Sequence, residues 1–174
     1  MELLIGCGSN HVKRMAMPGK EEWSELVTLD IDPTVQPDVL HDLNVRPLPF
    51  PDNHFDEIHA YEVLEHLGRQ GDWRDFFEQW SEWYRILKPD GILFGTSPHW
   101  SSPWVWADPG HAQVISGEKF VFLTQPNYDR QIGNTAMTDY RHVYKADFDC
   151  PYAEVQGETF VYAMQAVKPS RCSI

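Results

Sequence analysis

Short apolar runs alternate along the chain with segments of helical or irregular pattern. The clearest runs predict strands near residues 2–6 and 26–31, at 55–61 and at 92–96. A briefer run at 38–43 predicts one more strand. Alternation of this kind is typical of an α/β sheet whose strands are joined by crossover connections.

An aromatic stripe predicts the clearest helix of the chain. Its apolar residues recur three or four positions apart, the spacing of one helix face: Trp73, Phe76, Phe77, Trp80, Tyr84 and Leu87. Asp72 is placed to cap the start of this helix, and Lys88–Gly91 ends it. A ligand surface would also use aromatic residues, but such stripes normally face a core.

The remaining pattern is weaker. A short helix is predicted at 11–17, where Pro18-Gly19 would close it, and another at 117–123. The segment 125–138 is predicted to be irregular. The segments 140–148 and 154–167 resemble two closing strands, which would form an antiparallel pair at a sheet edge.

The first predicted strand leads directly into the glycine-rich turn Gly6-Cys7-Gly8. Such a turn lets backbone N–H groups approach a ligand closely, although a turn that only reverses the chain has the same composition. The second strand ends at Asp30. The separation between Gly8 and Asp30 is close to the ~20 residues at which a carboxylate meets a ribose hydroxyl in nucleotide-binding α/β folds. The third glycine of the dinucleotide fingerprint is absent, because His11 stands there, and this disfavours a nicotinamide or flavin site.

Length, charge and cysteine content exclude several classes. The 174 residues predict one domain, and an apolar content of 42% supplies a core. A net charge of −12 makes broad nucleic-acid binding and docking on anionic membranes unfavourable. The three cysteines lack a Cys-x-x-Cys pair, which predicts reduced thiols and no structural zinc.

The chain has no apolar run of the ~20 residues that cross a bilayer. It also lacks the pattern of a secretory signal at its start. We therefore expect a soluble, cytoplasmic protein.

Several sequence blocks, taken together, resemble the class I S-adenosylmethionine-dependent methyltransferases. The blocks are Leu4–Gly8, Leu29–Pro33, Leu48–Ile58, Glu62–Leu67 and Arg85–Leu93. They follow one another in the order and spacing of that family over residues 2–98. The chain is accordingly identified as a small, N-terminally short member, without the helices that usually precede the first strand.

The resemblance implies an α/β, Rossmann-like methyltransferase fold. Its sheet would be seven-stranded and mostly parallel, with one antiparallel strand and helices on both faces. S-adenosyl-L-methionine would be the methyl donor and S-adenosyl-L-homocysteine the product. The cofactor-binding residues implied by position are Gly6, Cys7, Gly8, Asp30, Ile31, Asp42, Leu43, Tyr61 and Glu62.

The resemblance also assigns roles to these residues. The glycine turn would pass under the methionine part, and Tyr61 and Glu62 would border the methionine and the transferred methyl. Asp30 would accept hydrogen bonds from the ribose hydroxyls, since one carboxylate can accept both. Ile31 and Leu43 would lie beside the adenine. Asp42 would face its amino group, although an Asp after a strand also forms turns.

The first motif departs from the family pattern. Leu4 stands where family members usually carry an acid, and Asn10 stands at the third glycine position. These departures are compatible with weak cofactor binding, or with a site that a second copy of the chain or a partner subunit completes.

Methyl transfer to an oxygen or nitrogen acceptor would call for a base with a pKa near neutrality. His99 is the best-placed candidate, because it follows the fifth strand directly; His66 and His111 are alternatives. The spacing of His99, Asp108 and His111 matches no strong metal-ligand pattern, so no metal is expected. The Trp100–Trp106 stretch is either a substrate lid or a packed loop.

Three hypotheses follow from these observations. The first is a methyltransferase acting on an oxygen, nitrogen or carbon atom of an unidentified small-molecule acceptor. Ala60–Val63 stands where an Asn-Pro-Pro-Tyr tetrapeptide would indicate base methylation, which favours a small molecule or a protein side chain. The second is a catalytically silent S-adenosylmethionine-binding module that acts as a partner subunit. The third is a nicotinamide-dependent oxidoreductase.

Overall fold

In a computed structural model, which describes residues 1–173, one sheet of seven strands runs through the molecule. The strands are β1 (Glu2–Ile5), β2 (Leu26–Asp30), β3 (Val39–Leu40), β4 (Phe55–Tyr61), β5 (Leu87–Pro98), β6 (Phe148–Gln156) and β7 (Thr159–Ala166). Their order across the sheet is β3-β2-β1-β4-β5-β7-β6. Strand β7 is antiparallel to both of its neighbours, and the other pairs are parallel. The predicted sheet is therefore confirmed.

Four α-helices and three short 3-10 turns connect the strands. The helices are α1 (Trp73–Ile86), α2 (Trp104–Ala107), α3 (Gly117–Phe120) and α4 (Gln125–Gln131); the 3-10 turns are Pro33–Val35, Leu64–His66 and Val121–Leu123. Helix α1 begins where predicted, since the Asp72 carboxylate accepts the N–H of Asp75 at 3.2 Å. Within residues 1–173, no helix has the length and apolar character needed to cross a membrane.

The aromatic stripe of α1 packs on one face of the sheet, as predicted. Trp80 and Trp83 are buried in the same apolar cluster as Leu3 and Ile58 from the central strands. The Phe120 ring of α3 meets the Trp80 ring edge-on at 5.4 Å between centroids. Burial of large side chains from two helices on this face supplies the main hydrophobic stabilisation.

The opposite face carries a buried polar cluster under the segment that joins β1 to β2. Lys13 lies between Glu2 and Glu57, with its Nζ 2.8 Å and 3.0 Å from their carboxylates. Nearby, the Tyr61 hydroxyl accepts the N–H groups of Arg14 and Met15, each at 3.1 Å. These contacts hold the segment in a conformation without regular secondary structure.

The predicted helix at 11–17 is therefore wrong. Two of the backbone N–H groups that a helix would use are bound by a tyrosine side chain instead. The pull of Lys13 toward two buried carboxylates outweighs the weak helical pattern of this segment.

The region after β5 also differs from the sequence prediction. Residues 125–131 form α4, where an irregular segment was predicted, and α2 adds one helical turn to the tryptophan stretch. The strand predicted from Tyr140 begins only at Phe148. The preceding residues turn, because Arg141 is held by the carboxylates of Asp129 at 2.7 Å and Asp139 at 2.8 Å.

Strand β5 is longer than the predicted 92–96. It starts at Leu87, directly after α1, and its pairing with β4 shifts between Leu87 and Ile92. Asp90 takes a left-handed φ of 62° within this irregularity. The Lys88–Gly91 sequence ends the helix as predicted, but it does so as a bulge at the strand start.

The polar cluster gives a testable prediction about stability. Lys13→Met leaves two buried carboxylates without their cation, which we expect to cost about 3–5 kcal/mol of the free energy of unfolding. Lys20→Met is the matched control, because Lys20 is 60% exposed and lies 3.8 Å from Glu57. Its loss is expected to stay below about 1 kcal/mol. Urea unfolding of both variants measures the difference. Equal losses in the free energy of unfolding would contradict the role of Lys13 as the cation of this cluster.

Candidate cofactor and active site

A cavity of about 360 Å³ opens where the carboxyl ends of β1, β2, β3 and β4 meet. Strand order reverses here, since β2 lies on one side of β1 and β4 on the other. Ligands of open α/β sheets bind at such switch points. The lining residues are Gly6, Asp30, Ile31, His41, Asp42, Leu43, Asn44, Glu62, Val63, His66 and Leu67.

The glycine turn after β1 passes directly against the loop that follows β4. Gly6 has a φ of 55°, and a Cβ there would lie 2.6 Å from Cγ2 of Val63. Gly8 has a φ of 51°, but a Cβ there would have no atom within 4 Å. Glycine at position 6 is therefore required both by the backbone conformation and by the neighbouring side chain.

Asp30 joins the two turns that border the cavity. Its Oδ2 accepts the N–H of Gly8 and its Oδ1 accepts the N–H of Asp32, both at 2.9 Å. A carboxylate has about four lone-pair sites, so both oxygens keep the capacity to accept a further hydrogen bond. A pair of adjacent hydroxyl donors, as a ribose provides, fits this arrangement.

The far wall of the cavity combines apolar and polar groups. Ile31 is 64% exposed although it is a large apolar residue, and Leu43 is buried nearby in the lining. The Asp42 carboxylate accepts the backbone N–H of Asn44 at 2.9 Å. Asp42 is thus a turn-forming residue, as the alternative interpretation of the sequence held, and it lines the cavity as well.

The ionisable lining consists of three acids and two histidines, His41 and His66. Asp30, Asp42 and Glu62 contribute carboxylates, and Glu62 is held over the cavity by a left-handed backbone with a φ of 59°. An acidic wall attracts a cationic ligand such as a sulfonium or an ammonium group and repels a pyrophosphate. This charge distribution fits S-adenosylmethionine and disfavours the nicotinamide hypothesis.

Three of the residues implied by the resemblance do not line the cavity. Cys7 is buried, and its N–H donates to the Leu29 carbonyl at 3.2 Å. Gly8 is half-buried, and its N–H donates to Asp30. The Tyr61 hydroxyl accepts a backbone N–H from the segment that covers the other face, and it lies 2.7 Å from Nδ1 of His59.

His99 and the tryptophans lie elsewhere on the same edge. The Nδ1 of His99 is 2.7 Å from the Ser101 hydroxyl oxygen, and His99 does not belong to the cavity lining. Trp100, Trp104 and Trp106 are all exposed. The prediction of His99 as a base stays a prediction.

Sequence reasoning did not single out Glu65, which is buried behind the cavity. Its Oε2 accepts the Ser97 hydroxyl at 2.9 Å. Burial, reinforced by the negative charge of Glu62, raises the pKa of the Glu65 carboxyl to about 8. The available signal was a Glu-His pair within the otherwise apolar run Val63–Leu67.

Comparison with known proteins agrees with this geometry. A family model described as a methyltransferase domain matches residues 3–95, more than half of the chain. The chain belongs to this family, and S-adenosylmethionine is the methyl donor that its class I members use. No curated protein matches the sequence.

Solved structures share the fold at low sequence identity. A SAM-dependent methyltransferase from Archaeoglobus fulgidus is 16% identical, with 94% of this chain and 85% of that chain covered and a TM-score of 0.55. The N-methyltransferase NodS from Bradyrhizobium japonicum, in complex with S-adenosyl-L-homocysteine, is 14% identical, with 95% and 76% covered and a TM-score of 0.56.

A third similar structure is a complex of two proteins. It joins the Haloferax volcanii Trm112 methyltransferase activator to a chain described as a methyltransferase. It is 15% identical, with 95% of this chain and 81% of that chain covered and a TM-score of 0.59.

The glycine turn gives a prediction with an internal control. Gly6→Ala and Gly8→Ala both place a side chain on a left-handed backbone, at about 1–2 kcal/mol each. Only Gly6→Ala drives a methyl group into Val63, which we expect to add about 1–3 kcal/mol. Urea unfolding should therefore rank Gly6→Ala as the less stable variant. A Gly8→Ala variant at least as unstable would show that the turn does not approach the β4 loop.

Proposed function

We propose that this methyltransferase acts on a small-molecule acceptor and that residues 1–174 form its single catalytic domain. The observation that carries the methyl-donor site of this proposal is the position of Asp30. Its carboxylate lines the cavity at the switch point of the sheet, and both oxygens retain free lone pairs. One apolar cluster includes residues from the strands and from helices α1 and α3, which supports a single domain.

The residues that would hold the donor follow from their positions around the cavity. Asp30 would accept the ribose hydroxyls, Ile31 and Leu43 would contact the adenine, and Asp42 would face its amino group. Glu62 would attract the methionine ammonium.

The turn of Gly6, Cys7 and Gly8 would lie under the methionine part. Tyr61 would contribute from the opposite face, where its hydroxyl fixes the chain that follows this turn.

The bound donor supplies an activated methyl on a sulfonium. The work left to the protein is to align the acceptor and to exclude water, and positioning of this kind accounts for much of the rate in such transfers. The exposed Trp100, Trp104 and Trp106 give the edge of the sheet a large apolar surface. Aromatic side chains suit a planar or apolar acceptor, and the net charge of −12 disfavours a nucleic-acid backbone.

A second candidate function is a cofactor-binding subunit that works only with a partner. The complex with the Haloferax volcanii activator is the observation that favours it, because one structural neighbour is found with a partner chain. An activity assay separates the two candidates. A methyltransferase with a complete site transfers methyl groups from S-adenosylmethionine to some member of a panel of small acceptors as the isolated chain, whereas a catalytically silent subunit binds the cofactor and transfers none.

The proposed ribose contact gives the central prediction. Asp30→Asn removes the charge that accepts both hydroxyls, and the dissociation constant of S-adenosylmethionine should rise by about 5- to 150-fold, or ~1–3 kcal/mol. Asp32→Asn is the matched control. Its side chain caps the neighbouring turn through Thr34, outside the cavity. Calorimetric titration of both variants measures the change.

The two variants also test the location of the ribose. Asp30→Asn exchanges one hydrogen-bond acceptor for a donor, so circular dichroism must first show that the variant is folded. A folded Asp30→Asn variant with unchanged affinity would mean that the ribose lies elsewhere. Equal weakening by Asp32→Asn would attribute the effect to general charge rather than to a direct contact.

A further inference from the structure

A second group of ionisable side chains lies beside the cofactor cavity. Glu65, His66 and His111 each offer one ligand atom, and these three atoms lie within 4.8 Å of one another. Glu65 and His66 belong to the 3-10 turn after β4, and His111 comes from the loop between α2 and α3. His66 also lines the cavity, so the group adjoins the site of methyl transfer.

The Glu65 carboxylate is only half satisfied. Its Oε2 accepts the Ser97 hydroxyl, whereas its Oε1 is buried and has no hydrogen-bond partner among residues 1–173. Glu65 as a whole is 1% exposed, so water does not freely compensate this oxygen. A buried carboxylate oxygen without a partner is costly and requires an explanation.

Both histidines are oriented through one ring nitrogen. The Nδ1 of His66 lies 3.1 Å from the Gly110 carbonyl oxygen, and the Nδ1 of His111 lies 3.4 Å from that of Val105. A neutral imidazole that donates its Nδ1–H to a carbonyl presents the lone pair of Nε2 on its other side. This is the arrangement by which backbone carbonyls orient metal-binding histidines.

A second Glu-His group in the molecule shows what a filled site looks like. Glu2, Glu57 and His59 lie on the other face of the sheet, and their ligand atoms are also within 4.8 Å of one another. There, the Lys13 ammonium lies between the two carboxylates at ion-pair distance. The protein supplies its own cation to that group.

We propose that Glu65, His66 and His111 bind a divalent transition-metal cation next to the cofactor cavity. Imidazole together with carboxylate suits Mn²⁺, Fe²⁺ or Zn²⁺ better than the hard cations Mg²⁺ and Ca²⁺, which prefer oxygen ligands. Two further acids adjoin the group: Glu62 lines the same cavity as His66, and the Asp108 carboxylate lies 3.9 Å from Nε2 of His111. Two imidazoles and one carboxylate leave coordination positions open for an outside oxygen.

The role of this cation rests on the proposed function. An acceptor hydroxyl bound to the metal loses its proton to solvent more easily, because the cation stabilises the resulting oxyanion. This deepens the proposal by favouring an oxygen acceptor. It also provides a way to activate the acceptor without His99.

Mn²⁺ binding to the chelator-treated full chain tests the site directly. Electron paramagnetic resonance of free Mn²⁺ should show a single bound ion per chain, displaced by Zn²⁺. Glu65→Gln and His111→Gln should each weaken Mn²⁺ binding by at least about tenfold. His142→Gln is the matched control, since His142 is exposed and outside the group, and it should bind Mn²⁺ like the wild type.

Absence of Mn²⁺ and Zn²⁺ binding, or equal affinity in all four proteins, would overturn the proposal. Titration with S-adenosyl-L-homocysteine in the absence of metal separates the two proposals and also shows that each variant is folded. If the chain binds S-adenosyl-L-homocysteine but neither metal, the metal site is rejected and the proposed function stands. If the chain binds metal through Glu65 and His111 but does not bind S-adenosyl-L-homocysteine, the metal site stands and the proposed function is rejected.

Discussion

The candidate site depends on the hydrogen bonds that Asp30 makes with both neighbouring turns. Its two oxygens hold the N–H groups of Gly8 and Asp32, so one side chain fixes the chain as it leaves β1 and as it leaves β2. The parallel pairing of these strands brings the turns to the same edge of the sheet. A carboxylate that is already oriented by the backbone loses little freedom on binding a diol, which is how preorganisation raises affinity.

The parts of the fold that the sequence predicts well are those where local pattern and tertiary packing agree. Helix α1 combines an aromatic stripe with an Asp72 cap, and the structure uses both. The segment 11–17 shows the opposite case. Its conformation is decided by partners far along the chain, Glu57 and Tyr61, which no local pattern reveals. Residues 140–147 likewise turn around the distant Asp129.

The candidate site, too, has parts that the sequence predicts and parts that depend on distant partners. Asp30 and the glycine turn could be identified from spacing, because the family order of strands brings positions of fixed separation together. The approach of Gly6 to Val63, and that of His111 to Glu65 and His66, arise only when separate loops meet at the sheet edge. The sequence spacing of His99, Asp108 and His111 indicated no metal site, and in the structure His111 lies with Glu65 and His66, which are distant from it in the sequence.

The buried acids on the two faces of the sheet differ in whether a cation of the chain neutralises them. Glu2 and Glu57 are compensated by Lys13, a cation that the chain carries on the covering segment, and that cluster therefore contributes to the structure of the protein itself. Glu65 is buried just as deeply, but one of its oxygens is left open beside a cavity. An uncompensated buried acid lowers stability, because its desolvation is not repaid within the fold. Such a cost is typical of functional sites, where the missing interaction is completed by what the site binds.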